Sequence, residues 1–150
     1  MNPLQPLIEL ITFGGKNIAH NLDFIPDDKI GWKPAPEAKS ALEICEEICG
    51  VVDGFAHALQ GAPFAVNAPT LSDREAAKAA VLAATSNYAQ VLGSLSETDL
   101  QTEMSTPFGS IPKAHGVGFG LVETLHHHGQ IVYIQTLLGD TESHFIDMSG

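Results

Sequence analysis

The sequence predicts an all-α protein, a four-helix bundle with one longer crossover connection. Three observations predict it. Apolar residues recur at helical spacing in four separate stretches, no stretch alternates convincingly as a strand would, and turn-forming residues gather mainly between the four stretches. Such a pattern buries one face of each helix against the others. A length of 150 residues suits one domain with its own core. That domain is expected over residues 1–139, with residues 140–150 as a surface tail.

The first helix is expected over residues 3–22, where Leu7, Ile8, Leu10, Ile11, Ile18 and Leu22 supply the apolar positions. Gly14 and Gly15 weaken its middle, since glycine lowers helix stability by about 1 kcal/mol relative to alanine. Residues 25–36 form a turn-rich connection, because Pro26, Gly31, Pro34 and Pro36 forbid a continuous helix. The second helix is expected from near Pro36, proline being favoured at the first helical position, to near Gly61. On its wheel, Ala41, Ile44, Cys45, Ile48, Val52, Phe55 and Leu59 fall on one side. Glu43, Glu46, Gly50, Asp53 and His57 fall on the other, so Glu46 reads as a solvated carboxylate. Glu47 lies at the border, in line with Ile44 and Val51, and is a candidate for pointing into the molecule.

A capping box, Ser72 with Glu75, opens the third helix, which runs to near Leu92 before Gly93. Residues 94–112 are a polar connection containing Thr106, Pro107, Phe108 and Gly109. The fourth helix is expected over residues 113–138, with Gly116, Gly118 and Gly120 disturbing its start and Gly139 as its C-terminal cap. It is apolar almost all round, which implies a central position or a second apolar face buried in a homodimer.

Eighteen acidic residues against seven basic ones give a net charge of -11. That field repels phosphate backbones and anionic lipid, so no nucleic-acid partner and no membrane partner is expected. No apolar run approaches the roughly 20 residues that a membrane helix needs. The first residues lack a basic region and a cleavage pattern, so no signal peptide is expected and the setting is cytoplasmic. Cys45 and Cys49 stand four apart in a helical pattern, poor geometry for a disulfide and consistent with free thiols. The pair could bind metal, but two small buried core residues fit it better. There is no Gly-x-Ser-x-Gly elbow, and the glycines at 116, 118 and 120 are too close and too apolar in context for a phosphate loop.

The chemistry gathers on the fourth helix, where Glu123 precedes His126, His127 and His128. Ionisable groups in an apolar helix need partners, so these share a metal or satisfy one another. Glu123, His127, Gln130 and Ile134 share one stripe. Glu123 and His127, four apart, can reach a single metal ion. A glutamate hydrogen-bonded to a histidine on a helix surface explains that pair equally well. His126 lies off the stripe as a substitute ligand, and His128 points elsewhere, with Leu121, Leu125 and Val132. His20, His57, His115 and His144 read as solvated or capping residues.

The chain resembles the DinB-like superfamily, metal-binding four-helix proteins that include thiol-dependent S-transferases and an isomerase. The resemblance is carried by Gly31, Trp32, Lys33, Pro34, Ala35 and Pro36, by Ser40 at the head of the second helix, by Thr106 to Gly109, and by His126, His127, His128, Gly129, Gln130 and Ile131, closing with Leu137, Leu138 and Gly139. It spans roughly residues 5–139. It implies three histidines on a divalent metal, at positions that fall here on Glu47, Glu123 and His127. Only His127 keeps the family residue.

From the resemblance follow two expectations. The first is a divalent-metal protein (Zn, Mn, Fe or Ni) with Glu47, Glu123 and His127 as ligands and His126 as catalytic helper. It would be a hydrolase or thiol S-transferase acting on a small molecule or thiol. The second is a non-catalytic bundle, a small-molecule binder or stress-linked dimer that has lost the metal. Two carboxylates and one imidazole form a harder, more anionic donor set than three imidazoles. Without a metal between them, two carboxylates this close are expected to raise the pKa of one of them.

Overall fold

A computed structural model describes residues 2–147 and 149. Four long helices form the bundle: α1 (Gln5–Leu22), α2 (Ala41–Leu59), α3 (Arg74–Ser94) and α6 (Phe119–Leu137). Between α3 and α6 lie a short helix α4 (Glu97–Leu100), a two-stranded hairpin β1 (Glu103–Thr106) and β2 (Gly109–Pro112), and a single turn α5 (Lys113–Gly116). Helix α1 packs on α3 and α6, and α2 packs on the same two. The chain therefore crosses a diagonal of the bundle from α1 to α2 and again from α3 to α6. The core between the helices includes Ile11, Ile18, Leu22, Ile48, Val52, Leu59, Tyr88, Leu92 and Ile131, all fully buried. No helix among the described residues is long and apolar enough to cross a membrane.

Helix α2 starts at Ala41, later than the Pro36 start expected from the sequence. A capping box sets the point: Glu43 N–H donates to Ser40 Oγ at 3.2 Å, and Ser40 N–H donates to Glu43 Oε2 at 2.8 Å. The prolines before it stay in turns. Helix α3 is capped by Asp73 rather than Ser72: its carboxylate accepts from Ala76 N–H at 2.9 Å, and the Ser72 hydroxyl donates to that carboxylate. At its end, α6 closes as a Schellman motif. Gly139 (φ 97°) and Asp140 donate their N–H groups to Thr136 and Gln135.

Further expectations need correction. Part of the connection over residues 94–112 forms an antiparallel hairpin, with Thr106 paired to Gly109 around the two-residue tip Pro107 and Phe108. Thr106 Oγ1 accepts from Phe108 N–H and donates to Gly109 O, and Gly109 takes φ 115°. The strands are only four residues long, too short for alternation to show. Glu46 is not simply solvated: its Oε1 accepts from Leu71 N–H at 2.8 Å. The incoming chain crosses α2 on the strip that looked polar. A Cβ at Gly50 would lie 2.9 Å from Ala68 Cα, and one at Gly54 would lie 2.6 Å from Ala65 O. The small residues there make a groove for backbone.

The expected fourth helix also breaks, at Val117 and Gly118. Tyr88 explains how the break is tolerated. Its buried hydroxyl donates to Val117 O at 3.0 Å and accepts from Gly120 N–H at 3.3 Å, satisfying backbone groups that a continuous helix would have paired. Gly120 lies against that ring, where an added Cβ would sit 2.6 Å from it. The described residues beyond Gly139 are largely exposed but tied down. Phe145 stacks on His128, His144 stacks on Phe24, and Asp147 N–H donates to Asn17 Oδ1 at 2.9 Å. Gly120→Ala should overpack this contact and destabilise the protein by about 1–3 kcal/mol, read as a lower midpoint in urea unfolding; an unchanged midpoint contradicts the packing.

Candidate metal centre

Helix α2 presents Glu47 and helix α6 presents Glu123 and His127 to the same corner of the bundle. Glu123 and His127 are one helical turn apart, so their side chains lie on one face. His127 is almost fully buried. Its Nε2 lies 2.8 Å from Glu123 Oε1 and 3.5 Å from Glu47 Oε2. One donor atom from each of the three residues lies within 4.8 Å of the others. The border position of Glu47 and the shared stripe of Glu123 and His127 thus meet in space.

The other ring nitrogen is also fixed. His127 Nδ1 stands 2.6 Å from Gln130 Oε1, and a carboxamide oxygen only accepts, so Nδ1 carries a proton. Nε2 is left facing carboxylate oxygens. A proton on Nε2, making an imidazolium, would complement those oxygens. Burial alone would lower the His127 pKa. The hydrogen bonds to Glu123 and Gln130 and the charges of Glu123 and Glu47 outweigh burial and raise it. A second cation completes the balance: the Lys39 ammonium pairs with Glu47 Oε2, the oxygen nearest His127.

These contacts test the fit of a metal. With His127 protonated, the two carboxylates here would be matched by two positive charges, an imidazolium and an ammonium. One divalent ion could replace both, with the neutral imidazole offering Nε2 and Gln130 holding the ring in the required tautomer. The donor set and its convergence therefore fit a divalent ion bound through two oxygens and one nitrogen.

The corner opens into a cavity of about 560 Å³. Its wall includes all three residues together with Lys39, His126 and Gln130, and an apolar side of Ile44, Tyr133, Ile134 and Leu137. His126 is exposed on this wall, its ring 4.7 Å from that of His127. His128 points away, as expected. It is buried with its Nε2 3.0 Å from Asn21 Nδ2, and burial lowers its pKa. Among the remaining histidines, His20 lies 3.9 Å from Asp147 and His144 3.0 Å from Asp140, while His57 and His115 are exposed. Sequence reasoning placed Gln130 on the stripe without giving it a role, although its position three residues after His127 was a usable signal. Lys39 gave no periodic signal, since it lies in a loop.

A bundle whose α2 and α6 bring two carboxylates and an imidazole together at one corner defines a class, helical proteins with a candidate metal site between helices. The comparisons name the family. A profile of the DinB superfamily matches residues 13–131, and the chain belongs to that superfamily. Two solved structures share the fold. One is a DinB-like protein, YjoA, from Bacillus subtilis, 18% identical, with a TM-score of 0.71 over 92% of this chain and 95% of that one. The other is a DinB-like protein from Bacillus cereus ATCC 10987, 15% identical, with a TM-score of 0.72 over 93% of this chain and 95% of that one. No curated protein matches.

Cys45 and Cys49 lie on the core side of α2, buried and unpaired. Burial pushes the Cys49 thiol up to about 12, helped by the charge of Asp53, and pushes Cys45 up as well. The thiolate is the reactive form, and so little of it exists near neutrality. Neither thiol should react with 5,5′-dithiobis(2-nitrobenzoate) in the native protein at mildly alkaline pH, and both should react in urea. Rapid native labelling would contradict the burial.

Proposed function

We propose that Glu47, Glu123 and His127 hold a divalent metal ion and that the protein is a metal-dependent enzyme acting on a small molecule, as a hydrolase or a thiol S-transferase. The observation that supports this most is the convergence of three donor atoms at the head of a cavity. Membership of the DinB superfamily adds to it. A cavity of about 560 Å³ is of the size that takes a small molecule. The two-carboxylate, one-imidazole set favours Zn, Mn or Fe over Ni. Such an ion, when bound, supplies Lewis acidity that acidifies a water or thiol at an open position. Glu47, Glu123 and His127 hold it; Gln130 orients the imidazole; His126, on the same wall, serves as general base.

A second reading has its own support. The His127–Glu123 hydrogen bond and the Lys39–Glu47 ion pair leave the corner satisfied without a metal. A non-catalytic bundle that binds a small molecule fits those contacts. The homodimer expected from the apolar fourth helix would use the exposed Val122, Leu125 and Tyr133 of α6. Sedimentation at micromolar protein should then give a two-chain mass; a one-chain mass removes the dimer.

Elemental analysis of tag-free protein should find about one equivalent of metal per chain. Zn or Mn added to the protein after chelator treatment should raise the melting temperature, with a gain of about 2.7 kcal/mol when free metal is about 100-fold above its dissociation constant. Glu47→Ala and His127→Ala should lose both effects. Far less than one equivalent, with melting indifferent to added metal, favours the non-catalytic reading.

A further inference from the structure

We propose that Lys39 is the anion-recognising residue of the cavity, held in reserve on Glu47 until a divalent ion displaces it, and that the small molecule bound there carries one anionic group beside an apolar body. The inference rests on the metal reading above and names the substrate class for it.

Among the described residues, Lys39 is the only lysine or arginine on the cavity wall. It immediately precedes Ser40, whose side chain and backbone are locked in the capping box of α2. The backbone of Lys39 is thus anchored while its side chain is about half exposed. The ammonium rests on the Glu47 oxygen that also faces His127. A divalent ion bound between those groups would repel an ammonium a few ångströms away, while the carboxylate charge that held it would be shared with the metal. The flexible side chain would then leave Glu47 but stay on the cavity wall.

The charges decide what it meets there. A divalent ion cancels Glu47 and Glu123, so the ammonium becomes the excess charge beside the metal. Glu37, exposed on the same loop, is the remaining carboxylate on the wall and disfavours a dianion. The same wall carries the apolar side chains of Ile44, Tyr133, Ile134 and Leu137. A single anionic group on Lys39 and an apolar body against those residues use both kinds of surface.

The test uses Co(II)-loaded protein and two thiols that differ in charge, 3-mercaptopropionate and 2-mercaptoethanol, followed by the sulfur-to-cobalt absorption band. In the wild type the anionic thiol should bind roughly tenfold more tightly, the scale of one charge-assisted hydrogen bond. In Lys39→Met the two affinities should converge, and in Glu37→Gln the preference should persist or grow. Co(II) itself, titrated alone by its visible absorption, should bind Lys39→Met as tightly as the wild type or up to about fivefold more tightly, because a competing cation is gone. Equal thiol affinities in the wild type, a preference that survives Lys39→Met, or weaker Co(II) binding in that variant each overturn the role of Lys39 and leave the metal site standing. Failure of the wild type to take up Co(II) overturns the metal reading, and this inference with it.

Discussion

Two carboxylates that approach one buried imidazole must be neutralised, and the arrangement around Glu47, Glu123 and His127 is organised by that requirement. Burial of His127 removes water from the imidazole side of the corner, while the carboxylates stay partly exposed. The upward shift of the His127 pKa favours its cation, whose Nε2 faces Glu123 at 2.8 Å, and the Lys39 ammonium lies on Glu47. Each is exchangeable. A proton on Nε2 would leave if the imidazole became a ligand, and the ammonium belongs to a flexible, half-exposed side chain. A divalent ion carries the same total charge in one place. The corner is therefore balanced in either state, and the balance turns a hydrogen-bonded cluster into a candidate metal centre.

The rest of the bundle holds the three groups in register. The capping box of Ser40 and Glu43 fixes where α2 begins, and so sets the direction of Glu47 two turns later. A residual pair, Lys33 with Glu43 at 2.6 Å, ties the preceding loop to the same turn. The start of α6 is fixed from the other side by Tyr88, whose hydroxyl bridges Val117 and Gly120 across the helix break. A shift of α6 by one residue would rotate Glu123 and His127 by about 100° and take both out of the corner. The stacking of Phe145 on His128 and the contact of that histidine with Asn21 pin the opposite face of the same turn. The three consecutive histidines thus divide the work by direction: His127 to the corner, His126 to the cavity wall, His128 to the packing against α1.

Much of this was legible in the amino-acid sequence, for reasons that lie in periodicity. The four long helices carry apolar residues at a spacing that only a helix can bury together, and the same spacing put Glu123 with His127 and set Glu47 at the border of its wheel. What escaped depends on contacts between segments distant in sequence. Glu46 looked solvated because no local pattern announces that the loop ending at Leu71 will cross α2 and donate to it. The hairpin escaped because four-residue strands carry too little alternation, although Pro107 to Gly109 marked its turn. The break before α6 depends on Tyr88, some thirty residues away. Lys39 sits in a loop where no repeat can say which way a side chain points, so its pairing with Glu47 was invisible until the fold was in view.

The central claim is that one imidazole and two carboxylates, rather than the histidine triplet, form the metal centre. X-ray absorption at the zinc edge of the Zn-loaded protein reads that donor set directly. The account predicts a first shell of oxygen and nitrogen at about 2.0–2.2 Å, with the multiple-scattering signature of a single imidazole. Two or more imidazoles, or any sulfur, in the first shell would contradict it.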